Sequence, residues 1–226
     1  MRAVDEEPRS TESPRTGPAR TSPRVRTVTR TVVPLLVLVA MALGTRVVSL
    51  GDAATTGPKV FDPTTYGKTE FPKVQEALTT KAIPAAVLAK ALAADPTAAA
   101  KQYGVKGGTG PEFAVSLTGT VGAGQSGIYA VTVAGVPSTL IIRVQTGPAI
   151  NGTDLRDATG TVTFGQFTNQ IDYQNAASAL NTQMKQQVLA PLGTAPLTGR
   201  TITLVGAFQL INPNGWLITP AKLTVS

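Results

Sequence analysis

Apolar and polar positions along the chain change their period several times, and each change marks an expected boundary. Val32 to Gly44 is an uncharged, mostly apolar run with Pro34 near its start. Residues 61–103 carry a helical pattern instead. Ala85–Ala94 is a strong helix former, and Pro72 suits a first helical position. Asp95 and Pro96 form an N-cap and first-turn pair that starts Thr97–Tyr103, with Gly104 as the stop. Lys106-Gly107-Gly108-Thr109-Gly110 reads as a flexible joint, and without a following helix it is no phosphate loop. From residue 112 the period becomes two. Phe113, Val115 and Leu117 alternate with Ala114, Ser116 and Thr118, and Tyr129, Val131 and Val133 repeat the pattern after a Gly122–Gly127 turn. Leu140, Ile142 and Val144 make a third strand. Ile202, Leu204, Phe208 and Leu210 make a fourth, with Gly206 at a bulge-like gap. Trp216 to Val225 makes a fifth, in which Pro220 implies an edge or a bulge.

Between the third and fourth strands the period returns to that of a helix. Thr168 or Asn169 caps it, Ile171, Tyr173, Ala177, Leu180, Met184 and Val188 fall near one face, and Pro191 and Gly193 end it. Three strands, a helix and two strands is the element order of an OB-type barrel. The expected fold is therefore α+β, mainly β. An OB-like five-stranded barrel over residues 112–226 carries a long helix between strands three and four. Short helices over 61–104 precede it, and one transmembrane helix lies near the N-terminus. Residues 61–226 form the expected exported domain, with 51–60 as a small-residue linker.

Charge changes the picture only at the N-terminus. The net charge of +7 suggests nucleic acid until it is located: residues 1–30 hold seven Arg against four acids, and the rest is spread thinly. No Lys/Arg cluster is interleaved with aromatics, so no nucleic-acid partner is expected. The Arg-, Pro- and Ser-rich tail has too few apolar residues to fold. Thirteen helical residues from Val32 span about 20 Å, short of the ~30 Å hydrocarbon core. Continuing to Leu50 gives nineteen residues, with Arg46 snorkelling outwards. Residues 31–50 are then a single-pass anchor to the cell membrane, with the N-terminus cytoplasmic by the positive-inside rule. The competing reading is a signal peptide cleaved near Gly51-Asp52-Ala53. Both export the remainder.

The chain has no Cys and no His. That removes disulfides, thiol nucleophiles, zinc thiolates, lipidation at Cys and the usual general base near neutral pH. No Ser–Lys pair has a supporting spacing, and Asp154, Asp157 and Asp172 follow no calcium-loop spacing. No catalytic residue, metal or cofactor is expected.

Two stretches are more distinctive than any regular element: Gln145 through Asp157 (QTGPAINGTDLRD) and Phe164 through Asn181 (FGQFTNQIDYQNAASALN). With Phe61-Asp62-Pro63 and Tyr66, Asp95-Pro96 before Tyr103-Gly104, Gly206-Ala207-Phe208 and Ile218-Thr219-Pro220, they resemble the DUF2291 family of predicted periplasmic lipoproteins. The resemblance covers about residues 58–226. It implies an exported, tethered protein whose genes often neighbour those of sugar-type ABC importers, and it implies no catalytic residues. The missing lipidation Cys departs from the family pattern, and an apolar helix would serve the same tethering role.

Three groups are candidate ligand contacts, each with a bland alternative. Thr153, Asp154, Arg156 and Asp157 could hydrogen-bond sugar hydroxyls, or form a tight turn in which Arg156 pairs with an acid. Asn169, Gln170 and Asp172 open the long helix, where free N–H groups suit anions or sugar oxygens, or they simply cap it. Tyr129, Arg143 and Trp216 flank the Gly122–Gly127 and Ile211–Gly215 loops. Trp216 could stack on a sugar ring or sit half-buried at the barrel rim. The expected function is a membrane-anchored, extracytoplasmic, non-enzymatic accessory of an ABC-type sugar importer. It would contact an importer component, a solute-binding protein or a sugar. The alternative is a carbohydrate- or cell-wall-binding module.

Overall fold

The computed structural model describes residues 60–226. The basic tail, the expected anchor and most of the linker lie outside the described residues. Among the described residues no helix is long and apolar enough to cross a membrane.

Helix α1, Pro63–Lys81, starts where Asp62 accepts a hydrogen bond from the Thr64 N–H at 2.9 Å and Pro63 supplies the first turn. Pro72 therefore lies inside the helix, not at its start as the sequence suggested. Pro72 is exposed, and so is Lys68, the residue whose carbonyl loses its N–H partner to the proline. Phe71, Val74 and Leu78 are its buried stripe. Gly67 lets it approach the later helix α5 (Gln170–Met184), since a Cβ there would sit 2.9 Å from the Ala179 carbonyl oxygen. A two-residue strand β1 (Ile83–Pro84) leads into α2 (Ala85–Ala94). Then α3, Pro96–Tyr103, is capped by Asp95 at Thr97 and Ala98 and stops at Gly104 as expected. The Lys106–Gly110 segment is a tight hairpin rather than a joint: β2 (Val105–Lys106) pairs back onto Pro111 and Glu112. Neither two-residue strand was visible in the sequence.

Five longer strands follow: β3 (Pro111–Gln125), β4 (Ile128–Val133), β5 (Ile141–Gln145), β6 (Thr201–Gln209) and β7 (Gly215–Val225). Each pairs with two others, in the order β3–β4–β5–β7–β6 and back to β3, so the pairings close on themselves. Only β5 and β7 run parallel among these five. Strand β3 is long enough to serve both neighbours: Glu112–Thr120 lies against β6, while Gly119–Gln125 lies against β4. Its turn into β4 is shorter than expected. Gln125 pairs with Ile128 across only Ser126 (φ 53°) and Gly127 (φ 77°), the left-handed pair that a two-residue hairpin needs. Opposite Gly206 the register slips between Lys222 and Pro220, so Pro220 marks a bulge.

Residues of one strand parity meet inside this ring. Phe113, Val115, Leu117, Val131, Ile142, Val144, Leu204, Phe208, Trp216 and Ile218 are all buried. Phe113, Phe208 and Trp216 stack in series, with centroids 5.6 and 4.6 Å apart. Helix α5 connects β5 to β6, capped by Asn169, and buries Ala176, Ala177, Leu180 and Met184. Ile171, expected on that face, is 68% exposed instead.

Candidate functional site

The distinctive stretch after β5 forms a short helix, α4 (Asp154–Asp157), rather than the expected tight turn. Arg156 is buried on it, and every side of its guanidinium is occupied. Nε and Nη2 donate to the two Asp157 carboxylate oxygens at 2.7 and 3.1 Å, and Nη1 donates to the Tyr173 carbonyl at 2.8 Å. The guanidinium carbon lies 3.5 Å from the Tyr173 ring centroid. The Tyr173 hydroxyl donates back to Asp157 at 3.3 Å. These contacts bring the 153–157 stretch and the start of α5 together, and they use Arg156 as a clamp between them. Thr153 makes no side-chain capping bond.

Asp154 belongs to a second relay. Gln145 Nε2 donates to Thr219 Oγ1 at 3.0 Å, and Thr219 donates to Asp154 Oδ2 at 2.6 Å. Burial raises the Asp154 pKa, and the Thr219 hydrogen bond offsets part of that. Close by, Glu112 is 1% exposed and its Oε2 has no hydrogen-bond partner. Burial first, then the Asp154 and Asp157 charges, push its pKa up to about 8, so it is largely protonated at neutral pH. Glu112, Gln209 and Thr219 all belong to the outward parity of their strands, and α4 packs over β6 and β7 there.

At the N-terminus of α5, Asn169 Oδ1 accepts from the Asp172 N–H at 2.9 Å, and Asn169 Nδ2 donates to Asp172 Oδ2 at 3.0 Å. This is reciprocal capping. Gln170 is exposed beside it.

The third group is divided by the sheet. Tyr129 and Trp216 have inward parity. The Tyr129 ring covers Gly124, where a Cβ would lie 2.3 Å from it. Trp216 is neither half-buried nor open to a sugar ring: it has 0% exposure and lies against Phe208. The stacking strength of a large aromatic surface has been spent inside the core. Arg143 faces outwards instead, paired across β5 with Ala130 on β4 and Leu217 on β7. Around it Ile141 is 55% exposed, Leu217 38% and Ile128 37%.

Glu112, Gln145, Tyr173 and Thr219 were not singled out for the site in the sequence. Glu112 and Thr219 stand at positions where alternation allows a solvent-facing polar residue; α4 packs over β7 beside Thr219, and the Gly107 hairpin lies against the Glu112 side chain. A carboxylate beside Phe113 at the start of a strand was the one available signal.

A family model described as "Predicted periplasmic lipoprotein (DUF2291)" matches residues 35–224. Among solved structures, the chain is similar to an OB-fold protein from Thermotoga maritima. The identity is 20%, the TM-score is 0.58, and the match covers 74% of this chain and all of that one. That likeness bears on the fold, and the mixed sheet with its added helices is α+β as expected. No curated protein matches the chain.

Proposed function

The chain belongs to the DUF2291 family of predicted periplasmic lipoproteins, and from that premise we propose that its folded part is a non-enzymatic accessory that docks a protein partner outside the cytoplasm. The partner is a component of an ABC-type importer or its solute-binding protein. The contact surface is the outer face of β4, β5 and β7, which fits the reading of the closed sheet as an OB-type barrel, whose second and third strands commonly face ligands. Val32–Leu50 serves as the tether, with the N-terminus cytoplasmic and an apolar helix in place of a lipidated Cys.

One observation carries this reading: half-exposed Ile128, Ile141 and Leu217 surround the exposed cation Arg143 on rigid paired strands. Arg is enriched among binding hot spots, and exposed aliphatic side chains around it are surface that docking would bury. The other charged candidates already have internal partners, as Arg156, Asp157 and Asp154 do. Trp216, one of the two rings that could stack on a sugar, is buried.

Affinity purification of the tagged full chain from detergent-solubilised native membranes, with mass spectrometry, tests this. An importer subunit or solute-binding protein is expected with the wild type and is lost with Arg143→Glu. Recovery that is unchanged in Arg143→Glu, or no specific partner at all, would refute the proposal.

A further inference from the structure

We propose that a surface cluster of aromatic rings where the chain enters the domain rests in the headgroup layer of the bilayer, so that this side of the domain lies on the membrane. The inference rests on the tether of the reading above, Val32–Leu50, but not on its docking face. The cluster joins two stretches far apart in the chain. Between ring centroids, Phe61 lies 5.2 Å from Tyr66 and 5.6 Å from Phe167, and Phe167 lies 5.4 Å from Tyr173. Phe164 ends the series edge-on, 5.8 Å from Tyr173. Packed rings usually belong to a core, yet all five keep contact with solvent. Phe61, Tyr66, Phe167 and Tyr173 are partly exposed, Phe164 is 51% exposed, and Val60 beside Phe61 is 88% exposed. Contiguous apolar surface of this kind marks a contact.

Local hydrogen bonds hold the exposed rings in place. Phe164 opens a 3-10 turn (Phe164–Gln166) and Phe167 follows it; Thr163 N–H donates to Gln166 Oε1 at 2.9 Å, and Gln166 Nε2 donates to the Thr161 carbonyl at 3.2 Å. The charges beside the rings are matched within the domain. Asp62 accepts from the Thr64 N–H and the Thr65 hydroxyl, Asp172 from Asn169, and the cation stacked on Tyr173, Arg156, is buried and bonded to Asp157. Aromatic rings suit the bilayer interface, where tyrosine gathers and phenylalanine enters the acyl boundary. Position selects lipid as the occupant. Residues 51–59 alone separate the tether from Val60, and even fully extended they reach only about 35 Å. No other exposed large apolar residue among the described residues stands so close along the chain to the tether.

The chain has no Cys, so one introduced thiol carries one label. Gly165→Cys, next to Phe164, enters open space. Ser138→Cys is the control, exposed in the β4–β5 connection at the end of β5 opposite Gln145 and its relay to α4. Each full chain, labelled with nitrobenzoxadiazole, is placed in phosphatidylcholine vesicles with or without headgroup spin-labelled lipid. Co-flotation with the vesicles reads the tether, and quenching reads the aromatic face. The expected result is flotation of both chains, with emission blue-shifted and quenched at 165 and neither at 138. Phe164→Glu in the 165-labelled chain floats equally and loses the quenching. Flotation without quenching at 165, or with equal quenching at 138, overturns the proposal and leaves the tether standing. Quenching that survives Phe164→Glu also overturns it, and absence of flotation overturns the tether and the proposal together. If Phe164→Glu does not fold, the two labels decide alone.

Discussion

Neighbouring residues on the same strands build two unlike layers. Phe113, Phe208 and Trp216 face into the ring and form an apolar stack. Glu112, Gln209 and Thr219, on the opposite parity, face outwards into a polar layer covered by α4. Each layer holds one buried side-chain atom without a hydrogen-bond partner among the described residues: Trp216 Nε1 inside, Glu112 Oε2 outside. The two differ in how they relieve that cost. A carboxyl group can neutralise itself by keeping its proton, and the Glu112 pKa of about 8 follows. An indole N–H has no such route at neutral pH. A buried carboxyl therefore adds pH sensitivity, while a buried indole carries a cost that pH does not relieve.

The largest break in this comparison is Trp216→Ala. Removing a fully buried ring from the stack should cost about 3–5 kcal/mol, seen as a large fall in melting temperature or failure to fold. Little change would mean that the ring contributes little to the core. Next is Arg156→Ala in the outer layer. It leaves Asp157 without its cation and Tyr173 without the guanidinium on its face, at about 3 kcal/mol. A variant with unchanged melting and lost binding would make this clamp a binding site instead.

Glu112 sharpens the contrast through pH. Its folded pKa lies above its unfolded value, so the native state holds the proton that the unfolded chain releases. Stability is full below about pH 4.5 and is lost progressively as pH rises through about 8. The expected loss across that window is roughly 3–5 kcal/mol. Glu112→Gln should flatten this slope and stabilise the protein at pH 8. Denaturant melts at pH 5 and pH 8 of both proteins read it, and an identical slope in the two would remove Glu112 as the cause. The smallest expected effect is Arg143→Glu, within about 0.5 kcal/mol of wild type, because this side chain is exposed.

The strands and α5 were legible because alternation and helical spacing are local signals, and Gly206 and Pro220 announced a local bulge. The two-residue strands were not, since two residues carry no period. The start of α1 was misplaced because Pro72 also suits a first turn, although Asp62-Pro63 stood ready as a cap upstream. The site was less legible than the fold. Asp154 and Thr219 are sixty-five residues apart, and no local pattern says that they meet. The aromatic character of Trp216 was plain, but whether its ring faced core or solvent depended on Phe208 across the sheet.

The proposed docking face is tested most directly by site-specific photo-cross-linking in native membranes. A photoreactive residue is placed at Leu217, on the face, or at Lys222, exposed on the same strand beyond the bulge. Adducts with an importer subunit or solute-binding protein from position 217, and none from 222, are the predicted result. Equal adducts from both positions, or none from 217, would contradict it.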